Sequence, residues 1–487
     1  MDLLKRSISR LALKPSVDSE LDGKPHINED EYVDFRSDDI EDPTNWSKAR
    51  KWYITAVVMF VSMNGNISSS ITAGTTKSLT EDFDISPVAA QLPMTLFLLG
   101  YCAGPLIFGT LSEFYGRRWI FYITFLLYLC FTCLTAWPPN FGSLLVGRFL
   151  AACFASGPAT IAPAILVDLW DKCERCKPMS ILCCGGWVGP ALGTVISGFL
   201  QLKRDWRWGI YVCLWLGAFS IPLMLTIPET HSPTILTQRA SQCREQGHDV
   251  HSEGEASKPK LLQLYKIALT RPWIMLFDII SFLCCLYFCV IFALQFMLFS
   301  IFPIVFRDMR GWNAGVSQLP ILGQIIGPII GLFITFEYSS RRKKKADLGK
   351  DMAPEDHMVL AMVGGVGFPI FMLWLSWSAQ YNSVHWIVPT IGGTLLSTSL
   401  FLIHVACFSY IVDTYADYAA SVMAANMVAR CASSAGAPLF TTQMFNALGI
   451  GGGGSLIAGV GTLLAVTPFL FYHYGHKIRA KSKYAQS

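Results

Sequence analysis

The sequence predicts an all-α membrane protein, with twelve transmembrane helices in two pseudo-symmetric six-helix bundles. Three observations carry that reading. First, 52% of the 487 residues are hydrophobic and 15% are charged. An ordinary soluble domain carries roughly 25% charged residues, and a water-soluble fold could not hide so much apolar surface. Second, apolar runs of the length needed to cross hydrocarbon, about 20 residues, recur twelve times. Third, the chain repeats itself. Gly100-Tyr-Cys-Ala-Gly104-Pro105 runs on through Glu113 to Arg117 and Arg118, and Gly323-Gln-Ile-Ile-Gly327-Pro328 runs on through Glu337 to Arg341 and Arg342. From the second glycine, the acid follows at nine and ten residues and the arginine pair at thirteen and fourteen. Repeated patterning in two halves of a membrane protein marks a transporter built around a central site.

The runs lie at 53–76, 88–111, 119–137, 143–167, 179–200, 208–227, 273–302, 316–337, 358–377, 384–411, 418–444 and 455–474. They divide the chain into a polar N-terminal segment (1–51), a first bundle (52–227), a central loop (228–272), a second bundle (273–474) and a tail (475–487). Helices are expected because lipid offers no partner for exposed backbone N–H and C=O groups. The first run is polar at its outer end, where Asn64, Asn66 and Ser68–Ser70 cluster. It starts about fifty residues in, lacks a small-residue cleavage pattern and reads as a signal anchor rather than a cleaved signal. Residues 1–51 read as disordered.

Orientation follows from the basic residues. With both termini cytoplasmic, 30 of the 38 Lys and Arg lie in inner segments and six in outer loops, leaving Arg148 and Arg430 within the membrane. This is a strong positive-inside bias. It explains the formal net charge of +4 without nucleic-acid binding, and makes Arg341-Arg-Lys-Lys-Lys345 a topology anchor. A monomeric, multi-pass protein of the plasma membrane is expected, working among lipids, protons and a small-molecule substrate. Most of the fifteen cysteines fall inside spans, where a reduced thiol is a small apolar side chain. Cys173-Glu-Arg-Cys176 has metal-like spacing but no second pair at usable distance, so neither a metal nor a cofactor is expected. No G-x-x-x-x-G-K-S/T loop is present, so direct ATP hydrolysis is not the energy source.

Gly109-Thr-Leu-Ser-Glu-Phe-Tyr-Gly-Arg-Arg118 resembles the loop signature G-x-L-x-D/E-x-x-G-R-R/K of the major facilitator superfamily. Arg148 through Gly157 is similar to the Arg-bearing motif of its proton antiporters, and Gly185-Gly-Trp-Val-Gly189-Pro190-Ala-Leu-Gly193 resembles their helix-five GxxxGPxxG. Asp42-Pro-Thr-Asn-Trp46, Pro228-Glu-Thr-His, Phe302-Pro-Ile-Val-Phe306 and the stretch from Tyr418 through Arg430 look like the fungal twelve-helix drug:H⁺ antiporters. The resemblance runs from about residue 42 to 483. It implies an exporter rather than an enzyme, coupled to protons and working by alternating access. It also implies a part in proton coupling for Arg148.

Each motif also has a physical reading. Gly116 permits a tight turn. Glu113, Arg117 and Arg118, with Glu337 and Arg341 in the second copy, stand at cytoplasmic helix ends, where ionic contacts can gate the inward-closed arrangement; obedience to the positive-inside rule alone is the simpler reading. Gly100, Gly104 and Pro105, Gly185, Gly189, Pro190 and Gly193, and Gly323, Gly327 and Pro328 let helices approach closely. Pro190 also removes a backbone hydrogen bond.

Ionisable groups inside a bilayer are costly and face a cavity or a partner. Here they are Arg148, Asp278, His404 and Arg430, with Asp168 and Asp413 near cytoplasmic ends. His404 titrates in a range that suits a proton carrier. Asp278 serves equally as a proton site or an ion-pair partner. Relatives often have Glu three residues before the helix-seven proline; Ser300 stands there. With no acid in the first span either, the cavity leans positive, which favours a neutral or anionic substrate over a cation. Asn66, Gln91, Gln295, Gln324 and Asn426 are candidate orienting groups, with Tyr101, Trp187, Phe296 and Phe408 as apolar walls. Proton-coupled uptake of a sugar or carboxylate is the alternative, but the QQ-x-x-G and P-E-S-P-R runs of sugar porters are missing. A non-transporting sensor should carry a large structured cytoplasmic domain, whereas the longest inner segments are polar and about fifty residues.

Overall fold

The computed structural model describes residues 32–36, 39–171, 174–246, 250–252, 261–347, 353–415, 418–480, 482 and 484. Twelve helices, α1 to α12, cross the molecule. The first bundle holds α1 (Lys48–Ser70), α2 (Ala89–Tyr115), α3 (Arg117–Ala136), α4 (Phe141–Leu169), α5 (Cys176–Leu200) and α6 (Arg207–Leu225). In the second, α7 (Ile279–Pro303) ends in a π-turn over Ile304–Met309, and α8 is Gly323–Asp347 behind a 3₁₀ entry at Val316–Leu322. Then come α9 (Met358–Gln380), α10 (Ile387–Thr414) and a 61-residue run, Ala419–Arg479. That run breaks at Gly449, where φ is 71° and ψ 168°, which separates α11 (419–448) from α12 (450–479). Ten helices among the described residues are long and apolar enough to cross a membrane, counting this run once. Its break makes two crossings of it, and α1 is the remaining one, its outer third polar.

Local signals account for the helix ends. Asn140 closes a capping box, its Oδ1 accepting from Ser143 N at 2.8 Å. Pro105 has no N–H for the Tyr101 carbonyl, and α2 loosens at Tyr101–Cys102. Gly116 sits between α2 and α3 at φ 93°, and a Cβ there would lie 2.5 Å from Glu229 Oε2. Only glycine meets both demands.

The glycine repeats lie at close helix contacts. A Cβ on Gly100 would come within 2.4 Å of Phe149 O, and one on Gly104 within 2.8 Å of Ser156 O, so α2 lies against α4. A Cβ on Gly327 would fall 2.6 Å from Thr394 O, and one on Gly323 2.4 Å from Thr394 Oγ1, so α8 lies against α10 in the same way. Gly189 and Gly193 bring α5 onto α1, where added Cβ atoms would meet Asn66 Cβ at 2.6 Å and Ile67 O at 2.4 Å; Gly185 faces the flexible end of Met59. Ser70 Oγ donates to Pro190 O across this seam.

One apolar core fills the second bundle and takes in Met94, Leu98, Trp187 and Ala191 from α2 and α5, while a second core fills the first bundle. The halves therefore meet through α2 on α11 and α5 on α8. Thr95 Oγ1 donates to Ala435 O at 3.1 Å, and Cys102 Sγ to Val428 O at 3.6 Å.

Two polar segments outside the bundles differ from the expectation. Of the N-terminal segment read as disordered, residues 1–31 lie outside the described residues, but the part beyond them folds. Tyr32 bridges His251, Val33 packs with Ala240 and Val250, and Arg239 joins Asp39 (2.6 Å) and Glu41 (3.4 Å). Burial pushes the Asp39 carboxyl up, but Arg239 and the Glu41 N–H outweigh it and hold the group below the usual carboxylate value. Asp42 caps the 3₁₀ turn Pro43–Asn45, Trp46 Nε1 donates to Ile40 O, and Lys51 Nζ to Thr44 O, which is why that motif reads D-P-T-N-W. The central segment, read as a loop, holds two helices, Ser232–Glu245 and Leu261–Leu276. A small apolar cluster stabilises the first in spite of its polar composition.

Candidate functional site

At the end of the first bundle where α2 turns into α3, Arg117 is 9% exposed. Its Nε donates to Asp168 Oδ2 at 3.2 Å and its Nη1 to Ser112 Oγ at 2.8 Å. Glu229, from the Pro-Glu-Thr after α6, accepts the backbone N–H groups of Arg117 and Arg118 at 3.0 and 3.2 Å, and so caps α3. Arg118 Nε donates to Tyr122 Oη, which in turn donates to Ile227 O. Beside them the backbone N–H of His231 donates to Glu229, and its ring Nδ1 lies 2.8 Å from Thr234 Oγ1. Burial, then the Arg117 charge, pushes this imidazole down to about 4, so it is neutral near pH 7. Glu113 takes no part. It is exposed and makes no hydrogen bond or ion pair among the described residues, because it sits on the outer face of α2 while the cluster lies on the inner one. The acid that Arg117 uses is fifty-one residues away, on the far end of α4.

The second copy shows the same substitution of partners. Glu337 and Arg341 pair at 2.8 Å on an exposed helix face, with side chains 64% and 73% exposed, where an ion pair contributes little. Arg342 instead turns inward, 3.9 Å from Asp413, whose Oδ2 also lies 2.9 Å from His357 Nε2. Asp413 ends α10 as Asp168 ends α4, so the pseudo-symmetry is carried by these aspartates rather than by the glutamates. Arg479 closes the site with two hydrogen bonds to Glu355, at 2.8 and 3.0 Å. The signal that could have found this network was a lone acid at the inner end of the fourth and tenth spans.

Asp278 also lies elsewhere than expected. Helix α7 starts at Ile279, so Asp278 stands just before its first residue and not a turn or two into the helix. It accepts from Tyr415 Oη and from Ser482 Oγ, and neutral hydroxyls satisfy it there.

The mid-membrane residues converge where the halves meet. Trp187 of α5 donates its Nε1–H to His404 Nδ1 of α10 at 3.0 Å. Arg430 of α11 places Nη1 3.4 Å from His404 Nε2, and its guanidinium lies 4.6 Å over the Phe292 ring. Phe288, Phe292 and Phe408 turn ring edges toward the imidazole at 5.5, 5.0 and 6.1 Å, and Phe408 packs against the cores of both bundles. His404 is 4% exposed. No carboxylate pairs with Arg430 among the described residues.

Arg148 is not in this cluster. It is 1% exposed inside the first bundle, where Nη2 donates to Ser68 O at 2.7 Å, Nη1 to Ser68 Oγ at 3.2 Å and Nε to Pro93 O at 3.4 Å. The Phe97 ring lies under it at 4.4 Å. Backbone and hydroxyl oxygens therefore occupy its charge, and it ties α4 to α1 and α2.

The amides read from the sequence as cavity groups are unusual in one respect. Gln295, on α7, is 1% exposed, and neither end of its amide has a partner; Gln91 Oε1, Gln324 Nε2 and Asn426 Oδ1 are likewise buried and unpaired. Buried polar atoms are nearly always satisfied, so these amides, on α2, α7, α8 and α11, stand out among the described residues. Asn66 accepts from Tyr101 Oη at 3.4 Å. Phe296 is buried, edge-on to Phe299. An opening of about 180 Å³ near Thr72 of the first span's end, the start of α2 and the ends of α7 and α11 is lined by Gln91, Ser300, Gln318, Lys77, Arg307 and the acid Asp308.

The sequence model described as Major Facilitator Superfamily matches residues 55–438. The efflux pump FUB11 of Gibberella moniliformis is 35% identical over 480 residues, covering 97% of this chain and 80% of that protein. The major facilitator superfamily multidrug transporter mdrA of Aspergillus fumigatus is 35% identical over 467 residues, covering 94% and 76%. The MFS-type transporter acdC of Aspergillus candidus is 31% identical over 481 residues, covering 96% and 94%. Among solved structures, the proton:xylose symporter XylE superposes with a TM-score of 0.60 at 17% identity, over 88% of this chain and 97% of that one, a likeness of fold alone. With the family model spanning most of α1 through α11, and relatives matched over 94% or more of this chain and 76% or more of their own length, the chain belongs to the Major Facilitator Superfamily.

Proposed function

We propose that the protein exports small organic compounds, neutral or anionic, in exchange for protons, by alternating access between bundles 52–227 and 273–474. The relatives named efflux pump and multidrug transporter support the outward direction. The observation that carries the coupling is the Trp187–His404–Arg430 contact across the bundle interface, at a depth where no Asp or Glu lies. His404 is the one side chain of the three with a ring nitrogen free of hydrogen that can take up a proton. Trp187 Nε1 and Arg430 are donors with no acceptor to offer, so a proton on Nδ1 excludes the Trp187 bond and adds a second positive charge beside Arg430. Protonation thus loosens the closed halves, and release of the proton lets them close again. Arg117, Arg118, Asp168 and Glu229, with Arg342 and Asp413 opposite, gate the cytoplasmic side. Arg148 acts by holding α1, α2 and α4 in register. The positive-inside count supports cytoplasmic termini, and the protein works as a monomer in the plasma membrane.

Everted vesicles containing the protein should accumulate substrate only under an imposed pH gradient. Accumulation that survives collapse of the gradient would overturn the coupling. Selectivity is tested with matched acidic, neutral and cationic competitors. A charged ligand in a low-dielectric cavity needs an opposite charge, and Arg430 lies at the interface, beside His404, with no carboxylate paired to it among the described residues. Acids should compete best, and Arg430→Gln should weaken them by tenfold or more while sparing neutral compounds. Lipophilic cations competing best would reject the charge argument.

A further inference from the structure

The helix Leu261–Leu276 carries an exposed surface that neither the transport site nor the core of either bundle uses. Along one face, exposed polar groups at its start (Gln263, Lys266, Thr270) give way to exposed apolar ones at its end. Leu269 and Ile274 are about half exposed, Trp273 is 50% exposed, and Phe277, just beyond the end, is 79% exposed. The opposite face, with Pro272 and Met275, is buried against the protein. We propose that this helix is a docking surface for anionic phospholipid headgroups, with Leu269, Trp273, Ile274 and Phe277 inserted in the leaflet and Lys266 and Arg271 at headgroup level.

Two observations select lipid over a protein partner. The apolar stripe is continuous with a lipid-facing one: Phe277 leads directly into Ile279, Phe282 and Leu286, all exposed on spanning helix α7. Whatever covers those side chains is hydrocarbon, and one turn of chain does not change the medium. The charge is also one-sided. From Lys258 through Phe277 the sequence holds Lys258, Lys260, Lys266 and Arg271 and no acid. A basic, partly apolar helix lying at the membrane surface is drawn to anionic lipid; the inner leaflet follows from the orientation proposed above. The helix also touches both halves, resting on the inner part of α2 and on α11, where the Arg271 guanidinium lies 5.6 Å over the Tyr418 ring. Lipid held there bears on the seam that must part when the cytoplasmic side opens.

The test uses the full chain in nanodiscs of phosphatidylcholine alone or mixed with phosphatidylserine. Hydrogen exchange over 261–276 should slow roughly tenfold in the anionic discs, and the K266Q/R271Q double variant should lose that difference while K266R keeps it. Native mass spectrometry should show retained phosphatidylserine on the parent and not on the double variant. The parent alone decides the main point, so a misfolded variant does not rescue the idea. Equal exchange in both lipids would overturn it. So would protection that needs neither lipid, which would mean that something else covers the face.

Discussion

Arg117→Ala should cut transport by a factor of about a hundred with normal membrane expression, and Asp168→Asn should do nearly as much, whereas Glu113→Ala should change it less than twofold. The asymmetry follows from burial. Arg117 and Asp168 are 10% and 15% exposed in their side chains, and removing one partner of a buried pair costs about 3–5 kcal/mol because the other charge is left uncompensated. Ser112, Arg117 and Asp168 belong to the first bundle, and Glu229 follows four residues after the end of α6. Their loss therefore does not cut a bond between the halves. It loosens the inner ends of α2, α3, α4 and α6, against which the cytoplasmic closure rests, and shifts the inward–outward population. Initial rates of export in everted vesicles, at matched expression, check this. Equal rates for Arg117→Ala and the parent would reduce the arginine to a topology signal, and a large loss in Glu113→Ala would mean that it finds a partner in another state of the cycle.

The spans were legible because hydrocarbon demands long apolar runs, and the two-fold pattern because both bundles need the same close contacts, α2 on α4 and α8 on α10. Of the five amides read as cavity groups, Gln91, Gln295, Gln324 and Asn426 hold buried atoms without a partner, whereas Asn66 accepts from Tyr101. What the sequence could not supply was pairing between distant helix ends. A repeat places Glu113 four residues from Arg117 and invites an i,i+4 pair, but Gly116, at φ 93°, breaks the helix between them and leaves the two side chains on different helices. The acid with the right reach comes from the end of α4. In the second copy α8 runs on unbroken, so Glu337 and Arg341 do pair on its exposed face, and Arg342 is the residue that meets Asp413. Soft span edges account for Asp278, since a shift of one turn moves it from the membrane to its mouth. Composition hid the cytoplasmic lobe, because three buried residues, Val33, Ala240 and Val250, are too few to register in a polar segment.

The sharpest separation is expected between His404→Gln and Trp187→Phe. A Gln amide oxygen can accept the Trp187 Nε1–H bond that Nδ1 accepts now at 3.0 Å, so His404→Gln should keep the bridge between the halves but carry no proton. Substrate exchange at equal pH on both sides should persist, while accumulation under a pH gradient should vanish. The size is set by the gradient: one unit of pH supplies about 1.4 kcal/mol per proton, or roughly tenfold accumulation at one proton per substrate. Trp187→Phe does the reverse. It leaves the imidazole free to titrate beside Arg430 and removes the bond that its protonation would have to break. The halves should then part without waiting for the proton, giving exchange at or above the parent rate with a proton leak in the absence of substrate. Measured on reconstituted protein with an internal pH dye, the two variants should fail in opposite ways. Full gradient-driven accumulation in His404→Gln would remove His404 from the proton path. Identical behaviour of the two variants would mean that the Trp187–His404 contact is packing alone, and that the proton is carried by some other group.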